Sequence, residues 1–450
     1  MKIKKIQFAV NNHDGKIAKQ NRLYANYAFF LTVAACLAGS IGSTTLMLGI
    51  TLLYAPLFLR PEHLLCPLLF FTIFDDFLLV ASNASASRFV TIFFVFGATL
   101  SILRKGTIRQ TSLYFALLIA LSIILSFYSA FGRTSFPISS LLNMLLTIAM
   151  LNLSITSAEN VSKQFYKFAA LVVIYVYLLL FRNGFDSLVE GTRMSIAENV
   201  NSNALAMGLA IVMAILVGDL LLYKKHIFSS IVLITANCVA LFLTGSRSAM
   251  IAAIIAPFLL YIINAQDKRS KRNAFYLLVI SSVLLVVIYR AMEHFFPTIM
   301  ERFTVENLEE SGGTGRVDVW KNYFVHFFPK YWLFGMGGDS TNLYFGLVSL
   351  NVEAHGAHNI VIEILSTSGV VGLVLYAVCF IKFFSATTSQ LRINRSQILS
   401  IAIVLTMLIN GIGENTMGSR FTWFGIGLGF MFFYSATKKD EIISGGNHGT

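Results

Sequence analysis

Charged residues are scarce in this sequence. Only 12% of its 450 residues are Asp, Glu, Lys or Arg, whereas 56% are hydrophobic and the mean hydropathy is +0.72. A water-soluble protein of this length could not bury so much apolar surface, so a soluble fold is excluded and lipid is the solvent that the composition requires. The sequence therefore predicts an all-α integral membrane protein with about 12–14 transmembrane helices and one long external loop that carries short interfacial helices.

Cysteine is also rare, and its spacing excludes two kinds of site. The four cysteines lie within or beside apolar segments, and none has a partner at CxxC spacing: Cys36, Cys66, Cys238 and Cys379. Neither a disulfide framework nor a zinc site is therefore predicted, and we expect four small buried hydrophobic side chains. No cofactor is expected.

No cleavable signal peptide is expected either. Residues 1–22 are polar and basic and contain no apolar core, so the first membrane helix is expected to act as an uncleaved insertion signal. Fourteen apolar runs of about spanning length then predict this order of segments: a basic cytoplasmic tail (1–26), a bundle of about eleven spans (27–289), a long periplasmic or external loop (290–357), the C-terminal transmembrane helices (358–436) and a cytoplasmic tail (437–450).

The basic residues are distributed as this topology requires. With both termini in the cytoplasm, the cytoplasmic segments hold 23 of the 34 Lys and Arg residues and the opposite face holds 11. The net charge of +12 is thus mainly a topology signal, and no nucleic-acid partner is needed to explain it. A multi-pass membrane protein with both termini in the cytoplasm is therefore expected.

Arginine and lysine also differ between the two faces. The cytoplasmic segments have 15 Lys and 8 Arg, whereas the external segments have 2 Lys and 9 Arg. Because a guanidinium group binds phosphate oxygens in pairs, the external arginines favour an anionic ligand such as a lipid-linked diphosphate. The alternative is a set of scattered surface arginines beside acidic neighbours.

One titratable residue stands where the long external loop enters a membrane helix. His358 is followed by Asn359 and, after nine mostly apolar residues, by Gly369-Val370-Val371-Gly372. An imidazole at this junction can take up a proton near neutral pH and would meet the head group of a lipid-linked substrate. The alternative is that His358 only anchors the end of a helix. The glycines would let the helix pack closely against its neighbour.

Shorter external segments add further candidates. Arg247 lies in the tight turn 244–249, so its side chain is held close to the hydrocarbon, unless it only reaches up to the interface. The last external turn contains Glu414-Asn415. Asp75 and Asp76 lie inside the third apolar run (67–82), but adjacent helical residues point about 100° apart and cannot form one paired site.

Four motifs lie on one predicted membrane face. They are His358-Asn359 with Gly369 and Gly372, Ser246-Arg247, Arg316 with Trp320, and Arg193 ahead of Asn201-Ser202-Asn203. Together, and in the same order, they resemble the superfamily of O-antigen ligases and Wzy-type O-antigen polymerases, which are bacterial membrane glycosyltransferases. The resemblance covers about residues 180–435, and Ser202 replaces the family's proline. It implies a location in the bacterial cell (inner) membrane.

The resemblance implies metal-independent transfer of a glycan from undecaprenyl diphosphate to an acceptor hydroxyl, with inversion at the anomeric carbon. His358 would be the general base, and Arg247, Arg316 and Arg193 would bind the diphosphate. Asn359, Asn203 and Trp320 would support the site. The implied partners are the undecaprenyl-diphosphate-linked glycan, the bilayer and a membrane protein that regulates chain length.

Three functions remain open at this stage. A polymerase of surface polysaccharide (O-antigen or capsule) is favoured, because the run Ala357–Glu363 and the Gly-Arg-x-x-x-Trp pattern resemble polymerases slightly more closely. A ligase that moves the polymer to lipid A–core of lipopolysaccharide has the same motifs. A multispan transporter or flippase would instead use Asp75 or Asp76 for proton coupling.

Overall fold

The structure is a computed structural model that describes most of residues 2–431. The residues outside its description are 1, 76, 82–83, 106–109, 129, 131–137, 154–157, 185–193, 195–200, 224–226, 265–271, 273–285, 302, 305–315, 338–340, 351–355, 392–396, 415–418 and 432–450. The chain forms two compact units, residues 1–101 and 102–450.

The first unit is helical except for one short hairpin. Its helices are α1 (Lys2–Ile41), α2 (Thr44–Leu52), α3 (Leu65–Ile73) and α4 (Ala86–Lys105), its 3-10 helices are Ala55–Leu59 and Pro61–Leu64, and its antiparallel strands are β1 (Leu79–Ala81) and β2 (Ala84–Ser85).

The third apolar run differs from its expected form. The run 67–82 was expected to be one span, but α3 ends at Ile73 and the chain turns into the hairpin. Asp75 explains the turn, because its carboxylate accepts hydrogen bonds from the hydroxyls of Ser85 and Ser87. These bonds satisfy a partly buried carboxylate and tie the hairpin to the start of α4. Asp76 lies outside the described residues.

The second unit contains the other helices. These are α5 (Gln110–Ser126), α6 (Ile138–Asn152), α7 (Ala158–Leu179), α8 (Ser202–Tyr223), α9 (Ile227–Thr244), α10 (Arg247–Asn264), α11 (286–295), α12 (Pro297–Glu301), α13 (Arg316–Asn322), α14 (Phe328–Tyr331), α15 (Thr341–Ser349), α16 (Ile360–Leu391), α17 (Gln397–Gly411) and α18 (420–431). Short π-helical turns cover Leu180–Gly184 and Tyr323–Phe327.

The long apolar helices confirm the all-α membrane class. Six helices in the described part of the chain are long and apolar enough to cross a bilayer, and they belong to α1, α4, α7, α8, α9 and α16. The α8 span, Ser202–Leu221, is 78% buried inside the protein, and α8 packs against α7, α9, α10 and α17. A helix that is apolar on all sides is stable only when neighbours or lipid surround it, so α8 is the centre of this unit. All four cysteines are buried, as expected.

The long loop contains a small apolar core of its own. Val319, Tyr323 and Phe327 follow one another at helical spacing and are buried together with Met336 and Ile362. The sequence pattern predicts a helix that stops at Pro329, but α13 continues through a π-helical turn into α14. Pro329 is tolerated there because it occupies the first turn of a new helical segment, where its missing N–H is not needed.

The helix that follows His358 is broken at Gly369. The φ and ψ angles of Gly369 are 63° and −162°, so α16 consists of two helical pieces. The segment after α14 fills the break: the N–H groups of Val370 and Val371 donate to the carbonyls of Trp332 (2.8 Å) and Leu333 (3.2 Å). A Cβ atom at Gly369 would lie 2.2 Å from the carbonyl oxygen of Leu333. The long loop is therefore docked onto α16 at this glycine.

Candidate functional site

His358 is held in an unusual backbone conformation immediately before α16. Its φ angle is +45°, and it is the non-glycine residue with a positive φ in the described part of the chain. Such a conformation is uncommon for a residue with a side chain and needs support from its surroundings. Trp320 supplies part of this support, because its indole Nε1–H donates to the carbonyl of Ala357 at 2.7 Å.

Asn359 begins α16 and links it to another helix end. Its side-chain Oδ1 accepts hydrogen bonds from the backbone N–H groups of Val361 (2.9 Å) and Ile362 (3.3 Å), which is the pattern of a helix N-cap. Its Nδ2 donates to the carbonyl of Ile412 at 3.2 Å, just beyond the end of α17. One asparagine therefore fixes both the start of α16 and its distance from residue 412.

Arg316 contacts the same turn after α17. Its Nη1 donates to the carbonyl of Gly413 at 2.7 Å, and its Nη2 lies 3.8 Å from Oε1 of Glu414. The other carboxylate oxygen, Oε2, lies 3.5 Å from Nδ1 of His358. Glu414 is only 8% exposed, so its charge acts on both neighbours with little screening by water. A single carboxylate thus stands between the imidazole and the guanidinium.

The turn before α10 places Arg247 beside this group. Gly245 adopts a φ of 63°, and the carbonyl of Ser246 accepts the N–H of Met250, so α10 begins directly at Arg247. A Cβ atom at Gly413 would lie 2.5 Å from the Cβ of Ser248, so the two turns are in close contact. The positive charge of Arg316 also acts on Arg247, so the two guanidinium groups repel each other.

Two buried hydroxyl groups lie near these residues. The Oγ of Ser246 has no hydrogen-bond partner among the residues that the structure describes, and this serine is 3% exposed. Tyr323 is fully buried beneath the loop, and burial raises the pKa of its hydroxyl well above the usual value. Tyr323 therefore stays neutral near pH 7 and is no candidate for the base.

An apolar cleft opens beside Arg247. Its volume is about 610 Å³, and its walls come from the end of α9, from α10, from α11 and from Phe303. Ile251 and Val286 in these walls are 50% and 60% exposed, although they are hydrophobic. Arg290, which pairs with Glu293 at 2.7 Å, also lines the cleft. The cleft thus joins an exposed apolar surface to the guanidinium group of Arg247.

The structure brings together five of the residues that the motifs predict. His358, Asn359 and Arg316 contact the turn 412–414 directly. Trp320 donates to the carbonyl that precedes His358, and the neighbour of Arg247, Ser248, packs against Gly413.

Asn203 and Arg193 are the other two predicted site residues. Asn203 lies in the first turn of α8, where its N–H donates to Oδ1 of Asn201 at 2.9 Å, and its supporting role stays a prediction. Arg193 lies outside the described residues. Its chain neighbour Met194 is buried, and the N–H of Met194 donates to the carbonyl of Leu243 at 2.9 Å.

Glu414 is the site residue that the motifs did not identify. The sequence signal was an acidic residue in the last predicted external turn, on the same predicted face as His358. That signal was weak, because the two residues are far apart along the chain and several acids occupy external segments.

In the described part of the chain, no group of three or more His, Cys, Asp and Glu side chains could hold a metal ion. Metal independence stays a prediction.

Comparison with known proteins finds one family whose sequence model matches this part of the chain. The sequence model of the family described as O-antigen ligase matches residues 230–377, which include Arg247, Arg316 and His358. The match is narrower than the expected span of about 180–435 and ends before Glu414. No curated protein and no solved structure matched the chain. The resemblance inferred from the motifs is confirmed over this segment: residues 230–377 match the sequence model of the O-antigen ligase family.

Proposed function

We propose that the protein is a surface-polysaccharide polymerase. It would transfer a glycan from undecaprenyl diphosphate to an acceptor sugar hydroxyl at the external face of the membrane. The observation that carries the proposal is that Glu414 lies between the imidazole of His358 and the guanidinium of Arg316, with Arg247 in the adjoining turn, within or beside the segment that matches the O-antigen ligase family. A diphosphate is already a good leaving group, so the reaction needs cations for the leaving group and a base for the acceptor.

His358 is the general base of the proposed reaction. It takes the proton of the acceptor hydroxyl while the hydroxyl oxygen attacks the anomeric carbon and the bond from that carbon to the diphosphate oxygen breaks. Attack from the side opposite the leaving group inverts the anomeric carbon. The side chain of His358 is 28% exposed, so a substrate can reach it, and its backbone is fixed by Trp320 and by the N-cap of Asn359.

Arg247 and Arg316 form the diphosphate clamp. Two guanidinium groups that repel each other gain most from an anion placed between them, and a diphosphate offers oxygens for paired hydrogen bonds to both. Glu414 balances only part of this charge, because it contacts Arg316 and His358 at the same time. Arg193 is proposed as a third member of the clamp.

The cleft beside Arg247 supports a lipid-linked donor. Its walls are apolar and exposed, and it meets the clamp at Arg247. A prenyl chain in the cleft would gain about 25 cal/mol of binding free energy for each Å² of apolar surface that it buries, while the diphosphate contacts the arginines. A soluble nucleotide sugar has no apolar part that would gain from this surface.

The test is transfer by purified protein in liposomes that contain lipid-linked repeat units. The parent should convert them to longer lipid-linked chains, and His358→Gln should lower the rate by about 10²–10⁴-fold, the usual contribution of a positioned general base. Gln keeps hydrogen bonding but does not accept a proton near neutral pH. Binding of the lipid diphosphate should change little, because the base acts on the acceptor.

A matched control is His326→Gln, which replaces an exposed histidine of the same loop and should keep the parental rate. If His358→Gln also turns over at the parental rate, His358 only supports the loop and the proposed mechanism fails. In cells, loss of a polymerase leaves short lipid-linked chains.

A ligase is the second candidate, and the description of the matched family favours it. A ligase would transfer the finished polymer to lipid A–core or another acceptor with the same base and clamp. Loss of a ligase leaves long lipid-linked chains, and loss of a flippase traps repeat units inside the cell. Chain length on the lipid carrier therefore separates the three functions.

A further inference from the structure

We propose that Glu414 is the positioning residue of the base, holding His358 through Nδ1 and joining it to Arg316 of the diphosphate clamp. This inference rests on the proposed function, because it concerns the same transfer reaction. It adds a residue that lies outside the matched segment 230–377 and outside the motifs.

The geometry assigns each oxygen of the carboxylate to one neighbour. Oε2 lies 3.5 Å from Nδ1 of His358, and Oε1 lies 3.8 Å from Nη2 of Arg316. The side chains of Glu414, Arg316 and His358 are 10%, 24% and 28% exposed. The carboxylate is thus the most buried member of the group and the least suited to contact a substrate. Its neighbours project further towards solvent.

The turn that carries Glu414 is fixed without help from its carboxylate. The carbonyl of Ile412 accepts from Asn359, and the carbonyl of Gly413 accepts from Arg316. Gly413 also packs against Ser248 so closely that a Cβ atom would not fit. Replacing the carboxylate by an amide therefore leaves the turn in place, and the effect of the charge can be measured separately from the effect of the fold.

Glu414 acts on the reaction through the ring of His358. In this proposal the ring of His358 carries its proton on Nδ1, which lies 3.5 Å from the carboxylate oxygen, so the opposite nitrogen, Nε2, is the proton acceptor. When the O–H bond of the acceptor breaks, an Nε2–H bond forms and the ring becomes an imidazolium, while the oxygen's electron pair makes the new glycosidic bond. The nearby carboxylate stabilises this positive ring and keeps its own charge throughout. The link to Arg316 keeps base and clamp at a constant distance.

Glu414→Gln is the direct test in the liposome assay. We expect kcat to fall by about 10–100-fold, the usual cost of losing the partner that orients a functional histidine. The KM for the lipid-linked donor should change much less, because Arg316 keeps its hydrogen bond to Gly413. The matched control is Glu301→Gln, which changes an exposed glutamate at the end of α12 and should leave both constants unchanged.

A double variant distinguishes positioning from general support. If Glu414 acts through His358, adding Glu414→Gln to His358→Gln should change the remaining rate by no more than about twofold. A merely structural glutamate would instead lower the rate by the same factor in both backgrounds. Equal effects in the two backgrounds would overturn the proposal, as would a parental kcat for Glu414→Gln.

The ring itself provides a readout that does not depend on transfer. In membranes containing the full chain labelled with ¹⁵N-histidine, the signals missing from His358→Gln belong to His358. We expect these signals to show a proton on Nδ1 in the parent and a changed protonation pattern in Glu414→Gln. A pattern that is the same in both proteins would contradict the assignment of Glu414. A parent without transfer activity would instead overturn the proposed function, while the nitrogen spectra would still decide the role of Glu414.

Discussion

Gly369→Ala should destabilise the protein, although replacing a glycine inside a helix by alanine normally stabilises it. At φ 63° and ψ −162°, Gly369 occupies a backbone region that is almost confined to glycine, and a side chain there costs about 1–3 kcal/mol. The new Cβ would also lie 2.2 Å from the carbonyl oxygen of Leu333, so the docked segment must move away from α16. Both effects act in the same direction.

This movement would lengthen or break two backbone hydrogen bonds. The N–H groups of Val370 and Val371 donate to the carbonyls of Trp332 and Leu333, and each bond contributes about 0.5–1.5 kcal/mol. Together with the backbone strain, we expect the free energy of unfolding to fall by about 2–6 kcal/mol. Transfer activity should fall as well, because the same segment fixes the loop that carries Trp320.

Denaturant unfolding in detergent, followed by tryptophan fluorescence, measures this effect. Trp320 and Trp332 both lie in the loop and report its release from α16. The matched control is Gly218→Ala in the interior of α8, where the new Cβ meets only the end of the Leu399 side chain at 2.8 Å. The gain in helix propensity of about 1 kcal/mol should offset that contact. Equal midpoints and slopes for Gly369→Ala and Gly218→Ala would refute the reasoning.

Two further predictions concern the clamp and the topology. Arg247→Lys should lower kcat/KM about 10–100-fold, because a point charge cannot replace paired hydrogen bonds to a diphosphate, whereas Arg60→Lys in the first unit should be neutral; a parental rate for Arg247→Lys would remove Arg247 from the clamp. A single cysteine placed at Gly313, in a chain without the four native cysteines, should react with an external thiol reagent, and a cysteine within 265–274 should not. Protection of the Gly313 cysteine would contradict the expected topology.

Much of the site could be predicted because its residue types and their spacings can be recognised in the amino-acid sequence alone. A histidine at a loop-to-helix junction, an arginine in a very short turn and an arginine four residues before a tryptophan are visible as patterns. The structure shows that His358, Arg247 and Arg316 with Trp320 meet around the turn 412–414. Motif order, however, says nothing about distances, and the role of Glu414 depends on a contact between residues 56 positions apart along the chain.

Gly369 shows how a motif can predict a close contact without predicting the backbone geometry that makes it. The pattern Gly369-x-x-Gly372 predicts glycines that let the helix pack closely against its neighbour, and a close contact is present at Gly369. The structure shows a break in α16 at Gly369 that receives the segment after α14. The difference arises because a glycine relieves either a side-chain contact or a backbone angle, and only the tertiary structure reveals which one is needed.

The sequence by itself determined the membrane class, the helical architecture and the residue types of the proposed chemistry. These follow from composition and local pattern, since apolar helices are stable in lipid, and since a charged group near lipid is costly and therefore usually functional. The tertiary structure decided that the loop docks at Gly369 and that Asp75 accepts hydrogen bonds from two serines at the short hairpin. It also decided that Glu414 lies between base and clamp. These features depend on contacts between segments that are far apart along the chain. Such contacts form only once the helices have packed against one another.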